Sequence, residues 1–242
     1  MTAPKRTPVW RSIHDSLLGD ITERRYRPGD KLPTEAQLSR RFGVNRHTVR
    51  RALAALAEAG IVHARRGAGV FVTCKPTDYP IGRRVRFHQT LRAAGHLPAR
   101  TLLALETRAA GADEAAALGL STGDRVHLYE GLSLADGQPI ALFRSVFPAA
   151  RFPALPEALN RLPSVTEALR ADGLADYTRA WTRLNATSAN ATQALHLRLF
   201  EGAPLLRTIS LNIDPKGRPV EYGRTWFSGD RVTLTVADPQ KS

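Results

Sequence analysis

Cysteine is almost missing from this chain, whose 242 residues include a single one, Cys74. One thiol excludes an internal disulfide and leaves no Cys/His spacing for a zinc site. No run approaches the roughly 18 apolar residues that a membrane helix needs, and the first residues lack the apolar core of a signal peptide. We therefore expect a cytoplasmic protein with no metal, no cofactor and no membrane partner.

Familiar catalytic motifs are missing as well. The chain has no Gly-x-Ser-x-Gly elbow, no His-Glu-x-x-His pair and no Cys/His cluster, and its seven histidines are scattered. These absences disfavour an enzyme and favour a binding protein.

Positive charge is in excess, and it is concentrated in the first third of the chain. The formal net charge is +13, and residues 1–76 carry 15 Lys/Arg against 6 Asp/Glu, whereas the rest carries 20 against 16. A basic surface of this kind can approach nucleic-acid phosphates. Charge alone leaves a solvated basic face or attraction to a membrane surface as alternatives.

The first predicted element is an amphipathic helix. Its apolar positions recur at helical spacing and are Trp10, Ile13, Leu17, Leu18 and Ile21. They predict a helix over about residues 9–24 with one buried face. The turn residues Pro28-Gly29-Asp30 then break the chain.

A short second helix follows. Thr34 with Gln37 three residues later is a capping-box sequence, because the hydroxyl can accept the N3 amide while the glutamine reaches back. Gly43 ends this helix, since glycine adopts the left-handed conformation most easily. Two short helices joined at such a glycine indicate a helix-turn-helix.

The third helix carries the basic face. Asn45 is suited to cap it, and its inward apolar positions are Val49, Leu53 and Leu56, before Gly60 ends it. Its outward positions are Arg46, His47, Arg50 and Arg51. Because positions four apart share a helix face, these side chains can enter a major groove, where arginine contacts guanine.

A glycine-rich hairpin follows the third helix. Apolar residues around 61–62 and 70–72 flank Arg65-Arg66-Gly67-Ala68-Gly69, which predicts a wing that contacts phosphates or the minor groove. A dinucleotide loop is disfavoured, because no third glycine and no helix follow. The predicted DNA-contacting residues are Thr34, Asn45, Arg46, His47, Thr48, Arg50, Arg51, Arg65, Arg66 and Gly67.

The second part of the chain contains an internal duplication. Leu118, Leu120, Gly123 and Val126 match Leu197, Leu199, Gly202 and Leu205, which lie 79 residues later. Gly137, Pro139, Ile140, Arg144 and Phe147 match Gly217, Pro219, Val220, Arg224 and Phe227, which lie 80 residues later. Each copy predicts a helix, a turn and a β-hairpin, so the two hairpins can form one antiparallel sheet with helices on a face, an α+β fold. A chance match of common residues is the alternative. In the last strand Glu221 and Phe227 share a face by strand period, so they can line one cavity.

These motifs resemble those of known regulators. Residues 26–35, 42–50 and 66–72 are similar to the winged helix-turn-helix of the GntR family. Residues 135–140, 219–222 and 229–231 resemble the UTRA effector domain of its HutC branch, whose fold is similar to chorismate lyase. The nearest likeness within the branch, carried by Asn45-Arg46-His47-Thr48, Asp78-Tyr79-Pro80 and Arg86-Phe87, is to phosphonate-metabolism regulators of the PhnF type.

The resemblance implies a domain order and a function. The DNA-binding domain spans 7–75, a linker 76–85 and the effector domain 86–239. The implied protein is a repressor that binds an inverted-repeat operator in double-stranded DNA as a homodimer and responds to a small anionic effector. Regulation of sugar-phosphate or amino-acid catabolism, or a lyase-like enzyme, are the alternatives.

The resemblance also implies an effector pocket. Its residues are Arg86, Ser133, Arg144, Ser164, Thr166, Glu221 and Phe227. The family usually has an Arg-x-Arg pair on the first hairpin strand, where this chain has Gly131-Leu132-Ser133. Either Arg86 with another arginine such as Arg144 compensates, or the effector carries less charge.

Replacing Arg66 by alanine tests the wing. Because a phosphate contact is independent of base sequence, we expect Arg66→Ala to lower affinity on all DNA sequences and to reduce the slope of log K against log salt by about 1. Binding titrations at several salt concentrations measure this slope. A slope equal to that of the wild type would contradict a phosphate contact.

Overall fold

A computed structural model describes residues 8–65, 67–73, 76–82, 91–93 and 95–236, with the side chain of Arg65 excepted. The chain divides into two compact units, Met1–Lys75 and Pro76–Ser242. Among the described helices none is long and apolar enough to cross a bilayer.

The first unit is a three-helix bundle with a hairpin. Its elements are α1 (Val9–Thr22), α2 (Glu35–Phe42), α3 (Arg46–Glu58), β1 (Val62–Arg65) and β2 (Gly69–Val72). The predicted apolar positions form its core, in which Leu17, Leu38 and Leu56 have no exposed surface. Asp20 is buried on α1 and accepts hydrogen bonds from Arg25 and Arg41, which tie α1 to α2.

The ends of α2 and α3 follow the predicted local chemistry. Thr34 and Gln37 form a capping box at the start of α2, and Gly43 ends this helix at φ +65°. The Asn45 side chain accepts the Thr48 amide at the start of α3. The helix-turn-helix is therefore confirmed, because each cap satisfies amides that have no partner within the helix.

The hairpin is also confirmed. β1 and β2 pair antiparallel, with Arg65 opposite Gly69 and Gly67 at φ +76° in the turn. Lys31 forms an isolated bridge to Phe71 and so adds a short third edge. A Cβ on Gly69 would lie 2.7 Å from the Lys31 Cε atom, so the absence of a side chain at Gly69 leaves room for the Lys31 side chain against the hairpin.

The second unit contains a strand, a helix and a hairpin, twice. The first copy is β4 (Pro98–Ala109), α4 (Ala112–Leu118), β5 (Arg125–Ala135) and β6 (Gln138–Pro148). The second copy is β7 (Thr178–Ser188), α7 (Ala191–Leu197), β8 (Pro204–Ile213) and β9 (Pro219–Ser228). The helices α5 (Leu155–Arg161) and α6 (Val165–Ala171) connect the copies. The duplication is confirmed, and the leading strands β4 and β7 extend it beyond the predicted range.

The two copies form one antiparallel sheet in the order β4-β5-β6-β9-β8-β7. Its centre is the pairing of β6 with β9, from Ala141 opposite Phe227 to Val146 opposite Tyr222. The first hairpin turns at Asp136 and Gly137, which both have positive φ as a type I′ turn requires. The predicted α+β class is therefore confirmed.

The two faces of the sheet are covered differently. The helices α4 and α7 pack on one face against Leu142, Val146 and Tyr222. On the other face α5 and α6 pack against Tyr129, Phe143 and Phe147. Because side chains alternate along a strand, this second face also carries Ser145, Glu221 and Phe227.

Part of the predicted linker belongs to the second unit. Thr77–Pro80 form β3, which pairs parallel with β10 (Val232–Thr235), and Tyr79 is buried beside Phe227. The prediction of a linker over 76–85 is therefore wrong for these four residues. The prolines around β3 suggested a linker, but the strand is stabilised by a partner near the other end of the chain.

A buried carboxylate holds the second hairpin turn. Asp214 is 3% exposed and accepts hydrogen bonds from the Lys216 and Arg218 amides and from the Arg151 and Arg218 guanidinium groups. Burial acts to raise the pKa of Asp214, but the hydrogen bonds outweigh it and lower the pKa to about 2. The ionised form therefore stabilises the turn at neutral pH.

Replacing Asp214 by asparagine tests this turn. Since the folded pKa of about 2 lies below the unfolded value near 3.9, the stabilisation is complete above pH 4 and is lost as the pH falls through 2. We expect Asp214→Asn to lower the free energy of unfolding by about 2 kcal/mol at pH 7 and by less as the pH approaches 3. Urea titrations of the full chain measure both values.

Asp113→Asn is the matched control for this measurement. Asp113 makes an ion pair with Arg224 at 3.0 Å, but its side chain is 79% exposed. An exposed pair contributes little to stability. Equal losses for the two variants at pH 7 would contradict the assigned role of Asp214.

Candidate functional site: nucleic-acid interface and ligand cavity

The start of α3 presents the candidate nucleic-acid interface. Arg46 and His47 occupy its first two positions and are exposed. No hydrogen bond or ion pair engages either side chain within the described part of the chain. Asn45 and Thr34 are both used as helix caps, so their side chains position the helices on which the basic residues stand.

Arg50 is held by an acidic neighbour. Its Nε and Nη2 atoms donate to the two carboxylate oxygens of Glu35, at 3.0 and 2.8 Å. The hydrogen bond from Arg50 lowers the pKa of Glu35, and the nearby charges of Arg46 and His47 act in the same direction. Glu35 therefore lies close to three of the four predicted groove residues and fixes the direction of one.

Arg51 differs from the other three. Its guanidinium lies 4.8 Å from the ring centre of Trp10 on α1, which is a cation–π contact. It therefore helps to hold α1 against α3, and its contact with DNA stays a prediction. In the wing, Arg66 and the side chain of Arg65 lie outside the described residues, while Gly67 is exposed at the turn.

The candidate ligand cavity opens on the sheet face that carries α5 and α6. Its volume is about 60 Å³, which is room for roughly four to six water molecules. Glu221 and Phe227 both line it, as strand period predicted. Tyr79 closes one side with its ring 5.2 Å from that of Phe227.

A chain of polar side chains crosses this cavity. Ser145 and Asn212 donate to the two oxygens of Glu221 at 2.5 and 2.7 Å, and Arg179 donates to the Asn212 oxygen at 2.7 Å. Arg179 also donates to the hydroxyl of Thr182. A carboxylate and a guanidinium are thus joined through one amide, which gives the cavity an acidic and a basic end.

The neighbouring phenol adds a donor to this cavity. Burial raises the pKa of Tyr79, although the charge of Arg179 opposes the shift. The phenol is therefore protonated at neutral pH. Hydroxyl groups of Thr208, Ser210 and Thr225 complete a largely polar lining.

The other predicted effector residues lie elsewhere or are not described. Arg144 projects from the opposite sheet face and pairs with Glu130 at 2.8 Å, so its assignment to this cavity is wrong. Ser164 caps α6, and Thr166 bonds to the Tyr177 hydroxyl. Ser133 is buried on the cavity face in register with Ala141, and Arg86 lies outside the described residues.

Arg179, Asn212, Ser145 and Tyr79 are the residues that the sequence prediction missed. The duplication could have identified Ser145, because it corresponds to Thr225, which shares the strand parity of Glu221. Arg179 stands at a β-bulge, where the register between β7 and β8 shifts, and period alone does not place such a residue.

Comparisons with known proteins agree with this architecture. The gntR family of bacterial regulatory proteins matches residues 10–72, and the UTRA domain matches residues 93–233. The chain is 41% identical over 229 residues to an HTH-type transcriptional regulator of Rhizobium meliloti, covering 94% of each chain.

Two PhnF proteins are also similar. The chain is 35% identical to the probable transcriptional regulator PhnF of Escherichia coli, over 87% of this chain and 88% of that one. It is 29% identical to the transcriptional repressor PhnF of Mycolicibacterium smegmatis, over 87% and 85%. The crystal structure of the latter PhnF superposes with a TM-score of 0.65 at 27% identity, covering 97% of this chain and 100% of that one. This chain therefore belongs to the GntR family of bacterial regulatory proteins, in the HutC branch with a C-terminal UTRA domain, and is a transcription regulator.

Proposed function

We propose that this regulator represses genes for the utilisation of phosphonates or related anionic metabolites. In this proposal, a small effector that binds in the Glu221 cavity releases the protein from its operator DNA. The observation that carries the proposal is the polar chain from Ser145 through Glu221 and Asn212 to Arg179. A half-buried carboxylate and a half-buried guanidinium, both held by hydrogen bonds, form a site that is organised before any ligand arrives.

The size and charge of the cavity favour a particular effector chemistry. About 60 Å³ suits a compound of a few heavy atoms better than a sugar phosphate. Glu221 can accept from an amine or hydroxyl, while Arg179 and the hydroxyl groups can bind an oxyanion. A short aminoalkylphosphonate satisfies both ends, and the likeness to PhnF-type regulators supports the same class.

The DNA side of the proposal uses two copies of the chain. A homodimer would place two α3 helices on the half-sites of an inverted repeat, one helical turn or a multiple apart. Arg46 and His47 would contact base edges. Arg50 would also contact a base once its ion pair with Glu35 has opened. The Arg50–Glu35 pair costs little to open, because the Arg50 side chain is 62% exposed.

Replacing Arg46 by alanine tests base reading. We expect Arg46→Ala to weaken binding to a DNA site selected from random sequence by about 1–3 kcal/mol, and to reduce the preference for that site over scrambled DNA. Gel-shift titrations of both DNAs at one salt concentration give the ratio. Arg11→Ala, which removes an exposed arginine of α1, should leave the ratio unchanged. An unaltered ratio for Arg46→Ala and His47→Ala would refute the reading role of α3.

Replacing Glu221 by glutamine tests the effector cavity. Wild-type protein should be stabilised against heat by 2-aminoethylphosphonate, and this compound should release the selected DNA. Because glutamine keeps the size but not the charge, Glu221→Gln should lose most of both responses while binding DNA normally. Ethylphosphonate, which lacks the amine, is the matched ligand control. Equal responses of wild type and variant would place the effector elsewhere.

A further inference from the structure

A lysine outside the predicted DNA-contacting set lies beside the wing. Lys31 belongs to the segment 29–32, which runs antiparallel to β2. The backbone amides of Leu32 and Val72 join the segment to this strand, with donor–acceptor distances of 2.8 and 2.9 Å. Lys31 itself is bridged to Phe71. The segment therefore adds a third strand to the wing and fixes the backbone of Lys31 within it.

The side chain of Lys31 points away from the helix bundle. The next residue, Leu32, is buried in the core of the first unit, and side chains alternate along an extended segment, so Lys31 projects from the opposite face. Lys31 is exposed, and no hydrogen bond or ion pair engages its ammonium among the residues that the structure describes. The adjacent carboxylate of Asp30 accepts the Arg27 amide at 2.8 Å instead. The ammonium is therefore available to an acceptor outside the chain.

Gly69 determines where this ammonium lies. The Lys31 stem crosses the backbone of Gly69, and its Nζ atom is 3.5 Å from the position that a Cβ on this glycine would take. Gly69 has φ +114°, which favours glycine, and it pairs with Arg65 in the last row of the hairpin before the turn. The positive charge of Lys31 is therefore held at the turn end of the wing.

The chain that follows Lys31 leads directly to the basic face of α3. Glu35, four residues later, binds Arg50 through both of its carboxylate oxygens. Four residues of chain span at most about 14 Å, and the major groove of DNA is about 12 Å wide. Lys31 therefore lies within reach of the phosphates at the rim of a groove that receives Arg50.

We propose that Lys31 binds a phosphate of the DNA backbone beside the wing and is a further DNA-contacting residue of this regulator. A lysine ammonium binds phosphate as a point charge, so the contact carries no base specificity. It positions the wing on the duplex while α3 contacts the bases. The proposal rests on DNA binding by the first domain, but not on the identity of the regulated genes or on the Glu221 cavity.

Replacing Lys31 by methionine in the full-length protein tests this contact. Methionine keeps an unbranched apolar stem over Gly69 but removes the charge, so the packing of the wing is retained. We expect Lys31→Met to raise the Kd about fivefold at about 0.1 M salt, on the selected DNA site and on scrambled DNA alike, and to reduce the slope of log K against log salt by about 1. Lys31→Arg keeps the charge and should bind both DNAs as the wild type does. Fluorescence anisotropy titrations at several salt concentrations measure both quantities, and melting temperatures of the free proteins check the fold.

Two matched controls separate a contact from a general loss of positive charge. Arg11→Met removes an exposed charge of α1 in the same unit, and Lys216→Met removes an exposed lysine of the second unit. Both should leave the Kd and the slope unchanged. Equal slopes for the wild type and Lys31→Met would overturn the proposal, as would a loss confined to the selected site, which would indicate base reading. These two results would leave the proposed function standing, whereas a wild type that bound no DNA would overturn both.

Discussion

The pairing of β6 with β9 is the constraint on which the effector domain depends. It joins the two copies of the duplication, and its register decides which side chains enter the cavity. With Ser145 opposite Gly223, the odd-numbered residues of both strands form the ligand face, while Val146 and Tyr222 pack under the helices α4 and α7. A slip of one residue would move Glu221 into the apolar layer under α4 and α7 and would expose the apolar residues next to it in β9. The apolar contacts with these two helices therefore select the observed register.

Local signals made the DNA-binding domain predictable. The side chains of Thr34 and Asn45 each accept a hydrogen bond from the amide three residues later. The sequence alone identifies such caps, because both partners are close together in the chain. The duplication predicted the hairpins and the common face of Glu221 and Phe227. β3 was missed because its partner β10 lies near the other end of the chain. Arg144 corresponds to Arg224 in the second copy and pairs with it, so strand parity places it on the face opposite to Glu221.

Acidic residues organise the basic surface of the first domain. The carboxylate of Asp20 is buried in the helix bundle and binds Arg25 and Arg41 at its surface, and the bond to Arg41 holds α1 against α2. Glu35 binds Arg50 at the surface, where an ion pair is weak and can exchange. Burial of the carboxylate, 5% exposed in Asp20 and 34% exposed in Glu35, therefore separates a structural ion pair from one whose arginine can move to another acceptor.

The same separation operates between the two copies in the second domain. Arg179 and Arg100 hold equivalent strand positions, but Asn212 has a carboxamide long enough to accept from its arginine, whereas Ser133 does not have one. On the next strand Asn212 lies opposite Glu221, whereas Ser133 lies opposite Ala141, so the first copy lacks the carboxylate as well. Divergence at two partner positions on a shared backbone therefore gives Arg179 a polar network and leaves Arg100 against the Tyr129 ring and the Leu162 carbonyl.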